Sequence, residues 1–154
     1  MSFGWGSIDR STLLKMVRMV PSGTLVELGS GAGTKYLAEF YTVYSIEHDR
    51  QWLHKHSSIY IHAPIIDGWY DLAPIKKNLP DEYGIILVDG PPGVIGRMGF
   101  CEHLDLFRYD VPMWFDDVER ADDYKVLKCV AEKLGRKFEM HEAGRKLVGV
   151  ICPA

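Results

Sequence analysis

Cysteine, long apolar runs and a leader segment are all scarce or absent in this sequence. Its three cysteines, Cys101, Cys129 and Cys152, show no C-x-x-C spacing. We therefore expect buried reduced thiols and neither a disulfide framework nor a structural zinc site. No apolar run approaches the roughly 20 residues that span a bilayer. The start, "MSFGWGSIDRSTLLK", lacks the apolar core and cleavage site of a signal peptide. These absences predict a cytoplasmic protein without a membrane partner.

An excess of basic charge is also missing. The chain has 18 Lys and Arg against 21 Asp and Glu, a formal net charge of -3. No global positive field attracts a nucleic acid, so no nucleic-acid partner is expected. Hydrophobic residues make up 47% and charged residues 25% of the 154 residues, an ordinary balance for a folded domain. We expect one domain over residues 1–154; its oligomeric state is not indicated by the sequence.

What the sequence does contain is a regular alternation of strand and helix patterns. Strands are predicted at 24–28, 42–49, 58–65, 83–90, 111–118, 137–142 and 147–152, and helices at 11–20, 34–40, 50–57, 98–107 and 121–134. Residues 67–83 are expected to be mostly loop, because Asp67-Gly68, Pro74 and Pro80 are turn signals. The alternation predicts an α/β fold: a Rossmann-like, doubly wound, mainly parallel seven-stranded sheet between two helical layers, with an antiparallel C-terminal hairpin.

A glycine-rich loop, "GSGAG", follows the first predicted strand. Gly29, Gly31 and Gly33 permit positive φ angles and a close approach of main-chain N–H groups to a ligand. Glu27, inside the strand end, could order the loop or reach a ligand amine. Glu47 ends the second strand, where an acid commonly accepts hydrogen bonds from both ribose hydroxyls. Together these features predict a nucleotide-type cofactor, with a purely structural turn and a solvated strand end as the alternatives.

Three carboxylates follow the fourth and fifth strands. Asp89 lies in "ILVDG", at the end of the fourth predicted strand, and Asp116 and Asp117 follow the apolar "MWF". Consecutive carboxylates are costly to hold together unless a cation or hydrogen-bond donors face them. Such an oxygen-rich set suits a hard divalent cation. The alternative is that Asp89 positions a substrate without a metal and Asp117 caps a helix. Arg97 is the only cation in the "GRMGF" segment.

The segment "VELGSGAGTKYLAEF…VYSIEHDRQW" resembles the first and second motifs of class I S-adenosylmethionine-dependent methyltransferases. The resemblance implies that the loop and the first acid hold the methionine portion of the cofactor. It also implies that the second acid binds the ribose and that His48 lies near the adenine. The implied cofactor-binding residues are Glu27, Gly29, Ser30, Gly31, Gly33, Thr34, Glu47, His48 and Asp89.

The later segments "VDGPPG", "GRM" and "DDVER" resemble the catechol O-methyltransferase-like and glucuronoxylan 4-O-methyltransferase-like groups. Catechol-type enzymes bind Mg²⁺ with an acid after strand four and an Asp-Asp or Asp-Asn pair after strand five. The resemblance thus implies a metal site for Mg²⁺ or another divalent cation at Asp89, Asp116 and Asp117. One departure matters: Pro91, Pro92 and Gly93 stand where catechol-type enzymes carry a lysine, so the catechol base cannot be transferred.

The resemblance implies methyl transfer from S-adenosylmethionine to an oxygen of a small molecule or a carbohydrate. Asp89 would act as the base, or a divalent ion held by Asp89, Asp116 and Asp117 would lower the pKa of the acceptor hydroxyl. Arg97 would orient an acidic acceptor. The candidate catalytic residues are therefore Asp89, Asp116 and Arg97. A nucleotide-dependent oxidoreductase and a non-catalytic S-adenosylmethionine-binding module are the alternatives.

Aromatic residues at two places are further candidates for ligand contacts. Phe3 and Trp5, in an N-terminal helix and lid segment over residues 1–20, could cover the cofactor or pack in the ordinary way. Trp69 and Tyr70 could supply rings to an acceptor pocket, with core packing as the equal alternative.

Overall fold

Nine strands and five helices alternate along residues 8–154, the part of the chain that this computed structural model describes. The strands are β1 (Thr24–Leu28), β2 (Thr42–Glu47), β3 (Ile59–His62), β4 (Ile65–Ile66), β5 (Trp69–Tyr70), β6 (Ile85–Val88), β7 (Met113–Phe115), β8 (Glu139–Ala143) and β9 (Lys146–Ile151). The helices are α1 (Arg10–Met19), α2 (Thr34–Leu37), α3 (Leu72–Asn78), α4 (Met98–Glu102) and α5 (Ala121–Leu134), with 3₁₀ turns at Arg50–Trp52 and Leu104–Leu106. The proposed lid residues Phe3 and Trp5 lie outside the described residues.

Seven of the strands form one sheet in the order β3-β2-β1-β6-β7-β9-β8, and β4 pairs separately with β5. The five strands from β3 to β7 in this order are parallel, whereas β9 runs antiparallel to both β7 and β8. The predicted Rossmann-like sheet with its antiparallel C-terminal hairpin is confirmed. Strand order reverses between β1 and β6, and a crevice at the carboxyl ends of such strands is where ligands bind in open α/β sheets.

The central strands are buried on both faces, because side chains alternate between the two sides of a sheet. On one face lie Val26, Leu28, Ile86 and Val88, and on the other lie Leu25, Ile85 and Leu87. Both faces therefore need covering elements. α5 packs against the first face through Val126, Leu127 and Val130, and α1 packs against the second through Leu13 and Met16.

The segment 67–83 differs from its predicted loop, because it contains β5 and the seven-residue helix α3. Asp71 caps this helix, accepting a hydrogen bond from the Ala73 N–H at 3.1 Å. Pro74 stands in the first turn of this helix, where a missing N–H costs nothing, so this proline does not mark a turn. The predicted helix at 50–57 is also reduced to a 3₁₀ turn, and His54 beyond it has a positive φ of 64°.

The cysteines differ most from expectation. Cys101 of α4 and Cys129 of α5 form a disulfide, and Cys152 is exposed. The prediction of three buried reduced thiols was therefore wrong. The two cysteines are 28 residues apart in sequence, but the packing of α4 against α5 brings their Cα atoms to 6.2 Å. The spacing of the two cysteines in the sequence does not predict that they lie close together.

Within residues 8–154, the helices are too short or too polar to cross a bilayer. The predicted cytoplasmic location stays a prediction.

Candidate functional site at the carboxyl edge of the sheet

A cavity of about 800 Å³ opens at the carboxyl ends of β1, β2 and β6, beside the strand-order reversal. This volume lies within the range of small-molecule sites. Its walls come from the glycine loop, the end of β2, the loop after β6 and the β8–β9 turn. Among the lining residues are Gly29, Ser30, Gly31, Glu47, His48, Asp49, Tyr70, Asp89, Gly90, Arg97, Asp117, Arg120, Arg145 and Lys146.

The glycines of the loop serve two different needs. Gly29 has a φ of 89°, and a Cβ there would lie 2.6 Å from the Asp89 carbonyl oxygen. Gly90 is equally confined, since its Cβ would lie 2.7 Å from the Gly29 Cα. These two residues let the loops after β1 and β6 pack backbone to backbone. At Gly31, by contrast, no atom of the described part of the chain beyond its two neighbours lies within 4 Å of an added Cβ, so this position borders the space of the cavity.

Glu47 ties the glycine loop to the end of β2. Its carboxylate accepts hydrogen bonds from the Ser30 N–H at 2.9 Å and the Asp49 N–H at 2.8 Å, and its Oε2 lies 3.1 Å from the His48 Nδ1. The side chain is almost fully buried, yet it lines the cavity. A carboxylate has about four acceptor positions. Glu47 can therefore hold the loop and still accept hydrogen bonds from a ligand.

Glu27 lies beneath the loop rather than in the cavity wall. Its carboxylate accepts hydrogen bonds from the Thr34 hydroxyl at 2.7 Å and from the Ser45 hydroxyl. Burial raises the pKa of Glu27 from 4.5 to about 7, against the lowering effect of those two hydrogen bonds. Glu27, Gly33 and Thr34 surround a small void below the loop. The other six predicted cofactor residues line the main cavity: Gly29, Ser30, Gly31, Glu47, His48 and Asp89.

The three predicted carboxylates meet, as their strand positions implied. One oxygen each of Asp89, Asp116 and Asp117 lies within 4.8 Å of the others. Burial, and then the neighbouring Asp116 charge, raises the pKa of Asp89 well above its ordinary value. Burial, followed by the Asp117 charge, also raises the pKa of Asp116. Asp89 and Asp117 line the cavity, whereas Asp116 lies behind them, and its Oδ1 has no hydrogen-bond partner within residues 8–154.

Arg97 is a buried member of this cluster. Its Nη1 lies 3.2 Å from the Asp117 Oδ2 and its Nη2 lies 3.6 Å from the Asp89 Oδ1. Its Nε donates to the Pro91 carbonyl at 2.9 Å. Arg97 lines the cavity while its guanidinium contacts acceptors of the protein itself, and its predicted contact with an acidic acceptor stays a prediction.

Two further cations in the site were missed by the sequence reasoning. Lys146 Nζ lies 3.1 Å from the Asp116 Oδ2 and 3.2 Å from the Asp117 Oδ1. Arg120 contacts Asp117 at 3.0 Å and Asp123 at 2.7 Å. A signal for Lys146 was present, because the predicted hairpin places it directly before the second strand of the pair, at 147–152. Pairing β9 with β7 would then have set it beside the acids.

The aromatic pair at β5 divides between the core and the site. Tyr70 lines the cavity with its side chain almost fully buried, and its hydroxyl has no hydrogen-bond partner within the part of the chain described. Burial raises the pKa of this hydroxyl well above its ordinary value. Trp69 instead packs on Gly99 and stacks on His103 with ring centroids 5.7 Å apart. Only the tyrosine of the pair lines the cavity.

The acids would suit a metal ion, but their cations do not leave room for one. A divalent ion shared by Asp116 and Asp117 would lie about 2.0–2.6 Å from their oxygens. Lys146 Nζ already occupies the space between the same two carboxylates. With Lys146 in this position, the residues present do not fit a divalent ion.

No family model matches the sequence, and no curated protein matches it. Solved structures do match. A putative caffeoyl-CoA O-methyltransferase from Staphylococcus aureus is 15% identical with a TM-score of 0.63, covering 94% of this chain and 84% of its own. The S-adenosylhomocysteine-bound methyltransferase PaMTH1 from Podospora anserina is 12% identical with a TM-score of 0.61, covering 94% and 77%.

A third match is MycE, a methyltransferase of the mycinamycin biosynthetic pathway solved with Mg and S-adenosylhomocysteine. It is 14% identical with a TM-score of 0.54, and the match covers 96% of this chain and 49% of MycE. At such identities the likeness concerns the fold. The chain therefore has the Rossmann-like fold of S-adenosylmethionine-dependent methyltransferases, with O-methyltransferase-like proteins among its structural neighbours.

Proposed function

We propose that this protein transfers a methyl group from S-adenosylmethionine to a hydroxyl oxygen of a small molecule or a carbohydrate. One observation carries the proposal: Gly31, the buried Glu47 and the carboxylate of Asp89 all border one cavity, and the described residues leave the space beside Gly31 open. This combination offers the main chain of the glycine loop and a ribose-type acceptor on one side and a basic group on the other.

The cofactor would be held by residues that already line the cavity. The main chain around Gly31 would take its methionine portion, Glu47 its ribose hydroxyls, and His48 would lie beside its base. When bound, S-adenosylmethionine supplies an electrophilic methyl group on a positively charged sulfur. The chain's own task is to align an acceptor oxygen with that group and to exclude water.

Asp89 is the residue best placed to remove the acceptor proton. It follows β6 directly, lines the cavity and has a raised pKa, which makes its carboxylate a stronger base than an exposed aspartate. The acceptor hydroxyl would give its proton to Asp89 while its oxygen bonds to the methyl carbon, and the carbon–sulfur bond that breaks would leave its electron pair on the cofactor sulfur. Asp116, predicted as catalytic, is better described as a residue behind Asp89.

Asp89→Asn tests this role directly. Methyl transfer should fall about 100-fold or more, the usual size of a general-base contribution. The measurement is a labelled-methyl transfer screen against sugars, catechols and small acids. Asp105→Asn, an exposed acid in the 3₁₀ turn after α4, is the matched control and should stay fully active. Equal rates in the wild type and Asp89→Asn would remove the base assignment.

Two alternative functions give different results. A nucleotide-dependent oxidoreductase would bind NADH, whereas we expect S-adenosylhomocysteine alone to bind. A non-catalytic module would bind S-adenosylhomocysteine but transfer no methyl group to any acceptor in the screen. That second result would contradict the proposed activity while leaving the cofactor site intact.

A further inference from the structure

We propose that Lys146 is a positioning residue that stands in place of a divalent metal ion in the acidic cluster. Methyl transfer by this protein would then need no metal. The second statement rests on the proposed function; the exclusion of a metal ion from the cluster does not.

The position of Lys146 follows from the fold rather than from a flexible side chain alone. It begins β9, directly after the hairpin turn, where it pairs with Ala143. The next residue, Leu147, accepts a hydrogen bond from the Val118 N–H at 3.0 Å. This bond fastens the start of β9 to the chain just beyond Asp116 and Asp117. The Lys146 side chain therefore starts beside those two carboxylates, and its ammonium contacts them at 3.1 and 3.2 Å.

A metal ion and this ammonium would compete for the same oxygens. Metal–oxygen distances of about 2.0–2.6 Å would put a divalent ion within the van der Waals reach of the Lys146 Nζ. Two positive groups that close repel each other strongly, the more so in a buried site. Occupancy by one therefore excludes the other.

The charge balance of the cluster points the same way. Four carboxylates are in contact with three cations, and these residues are Asp89, Asp116, Asp117, Asp123, Arg97, Arg120 and Lys146. The cluster is thus neutral to within one charge without an added ion. A consecutive acidic pair needs opposing cations when it is buried, and Lys146 supplies the one that faces both members.

Removing the lysine should create the metal site that it fills. Titration with Mn²⁺ alone, followed by electron paramagnetic resonance, should show no saturable site in the wild type below millimolar concentration. Lys146→Met should bind Mn²⁺ at least about tenfold more tightly, because the acids lose their own cation. Adding Asp116→Asn to Lys146→Met should abolish the gained site.

Activity supplies the second readout. We expect wild-type methyl transfer to be unaffected by EDTA. Lys146→Met should lose roughly 100-fold in rate, because the uncompensated acidic pair would shift and misplace the neighbouring Asp89. Lys146→Arg should recover most of the rate. Binding of S-adenosylhomocysteine should be similar in all three proteins.

Tight Mn²⁺ binding by the wild type, or EDTA inactivation reversed by Mg²⁺, would overturn the inference. Those two measurements need no variant, so misfolding of Lys146→Met would not prevent them. A wild type that binds neither Mn²⁺ nor S-adenosylhomocysteine would refute the proposed function and still support the exclusion of metal.

Discussion

At the scale of single residues, two glycines of the loop after β1 are needed for different reasons. Gly29 is required by a neighbouring loop, since an added Cβ would collide with the Asp89 carbonyl. A Cβ added at Gly31 would meet no atom of residues 8–154 within 4 Å, its two chain neighbours aside. The sequence places both in a nucleotide-type loop but cannot separate them, because the close partner of Gly29 lies 60 residues away along the chain. The structure assigns backbone packing to Gly29, and under the proposed function Gly31 makes room for the cofactor.

Gly31→Val should therefore weaken S-adenosylhomocysteine binding without unfolding the protein. A branched side chain there would project into the cavity and fill space that the ligand needs. We expect at least a tenfold rise in the dissociation constant, equivalent to about 1.4 kcal/mol. Gly84→Ala, directly before β6 and outside the cavity lining, has room for its methyl group and is the control. Unchanged affinity in Gly31→Val would place the ligand elsewhere.

Glu27 predicts how stability depends on pH. Its folded-state pKa of about 7 exceeds the ordinary 4.5, so the folded protein holds this proton more tightly than the unfolded chain. The stabilisation is complete below pH 4.5 and is lost as pH rises through 7. The loss amounts to about 3 kcal/mol. Glu27→Gln should remove it, so the difference in unfolding free energy between variant and wild type should grow in the variant's favour from pH 5 to pH 8 in urea titrations. A constant difference would contradict the assignment.

At the scale of elements, prediction succeeded where periodicity was strong. α5 begins and ends at the predicted residues, Ala121 and Leu134, because its apolar positions repeat at helical spacing over fourteen residues. The sequence prediction omits α3 because proline is a turn signal in most contexts, whereas Pro74 stands in the first turn of a capped helix. The cations of the acidic cluster were missed for a related reason, since Lys146 lies 30 residues from Asp116 and meets it only through the pairing of β9 with β7.

The disulfide between α4 and α5 gives a prediction at this scale. Closing a loop of 28 residues restricts the unfolded chain, and loop entropy assigns about 3–4 kcal/mol to such a bond. The double variant Cys101→Ser and Cys129→Ser should be less stable by about that amount. Cys152→Ser, which changes the exposed cysteine, is the matched control. Mass spectrometry of the unreduced protein checks that the bond is present; identical stability of all three proteins would contradict its contribution.

At the scale of the whole molecule, the alternation of strands and helices was sufficient to predict the sheet and its C-terminal hairpin. It also placed the glycine loop, Glu47 and the three acids at one edge, since the carboxyl ends of parallel strands meet there. Alternation does not specify which side chains line a cavity. Burial of Glu27 and the ion pairs of Arg97 follow from packing in three dimensions, and these assignments required the structure.

The central claim is that S-adenosylmethionine occupies the cavity between β1 and β6. Isothermal titration of S-adenosylhomocysteine into the protein tests it most directly, with NADH titrated in parallel. We predict saturable binding of one S-adenosylhomocysteine per chain and no heat with NADH. No saturable binding of S-adenosylhomocysteine to the folded protein would contradict the account.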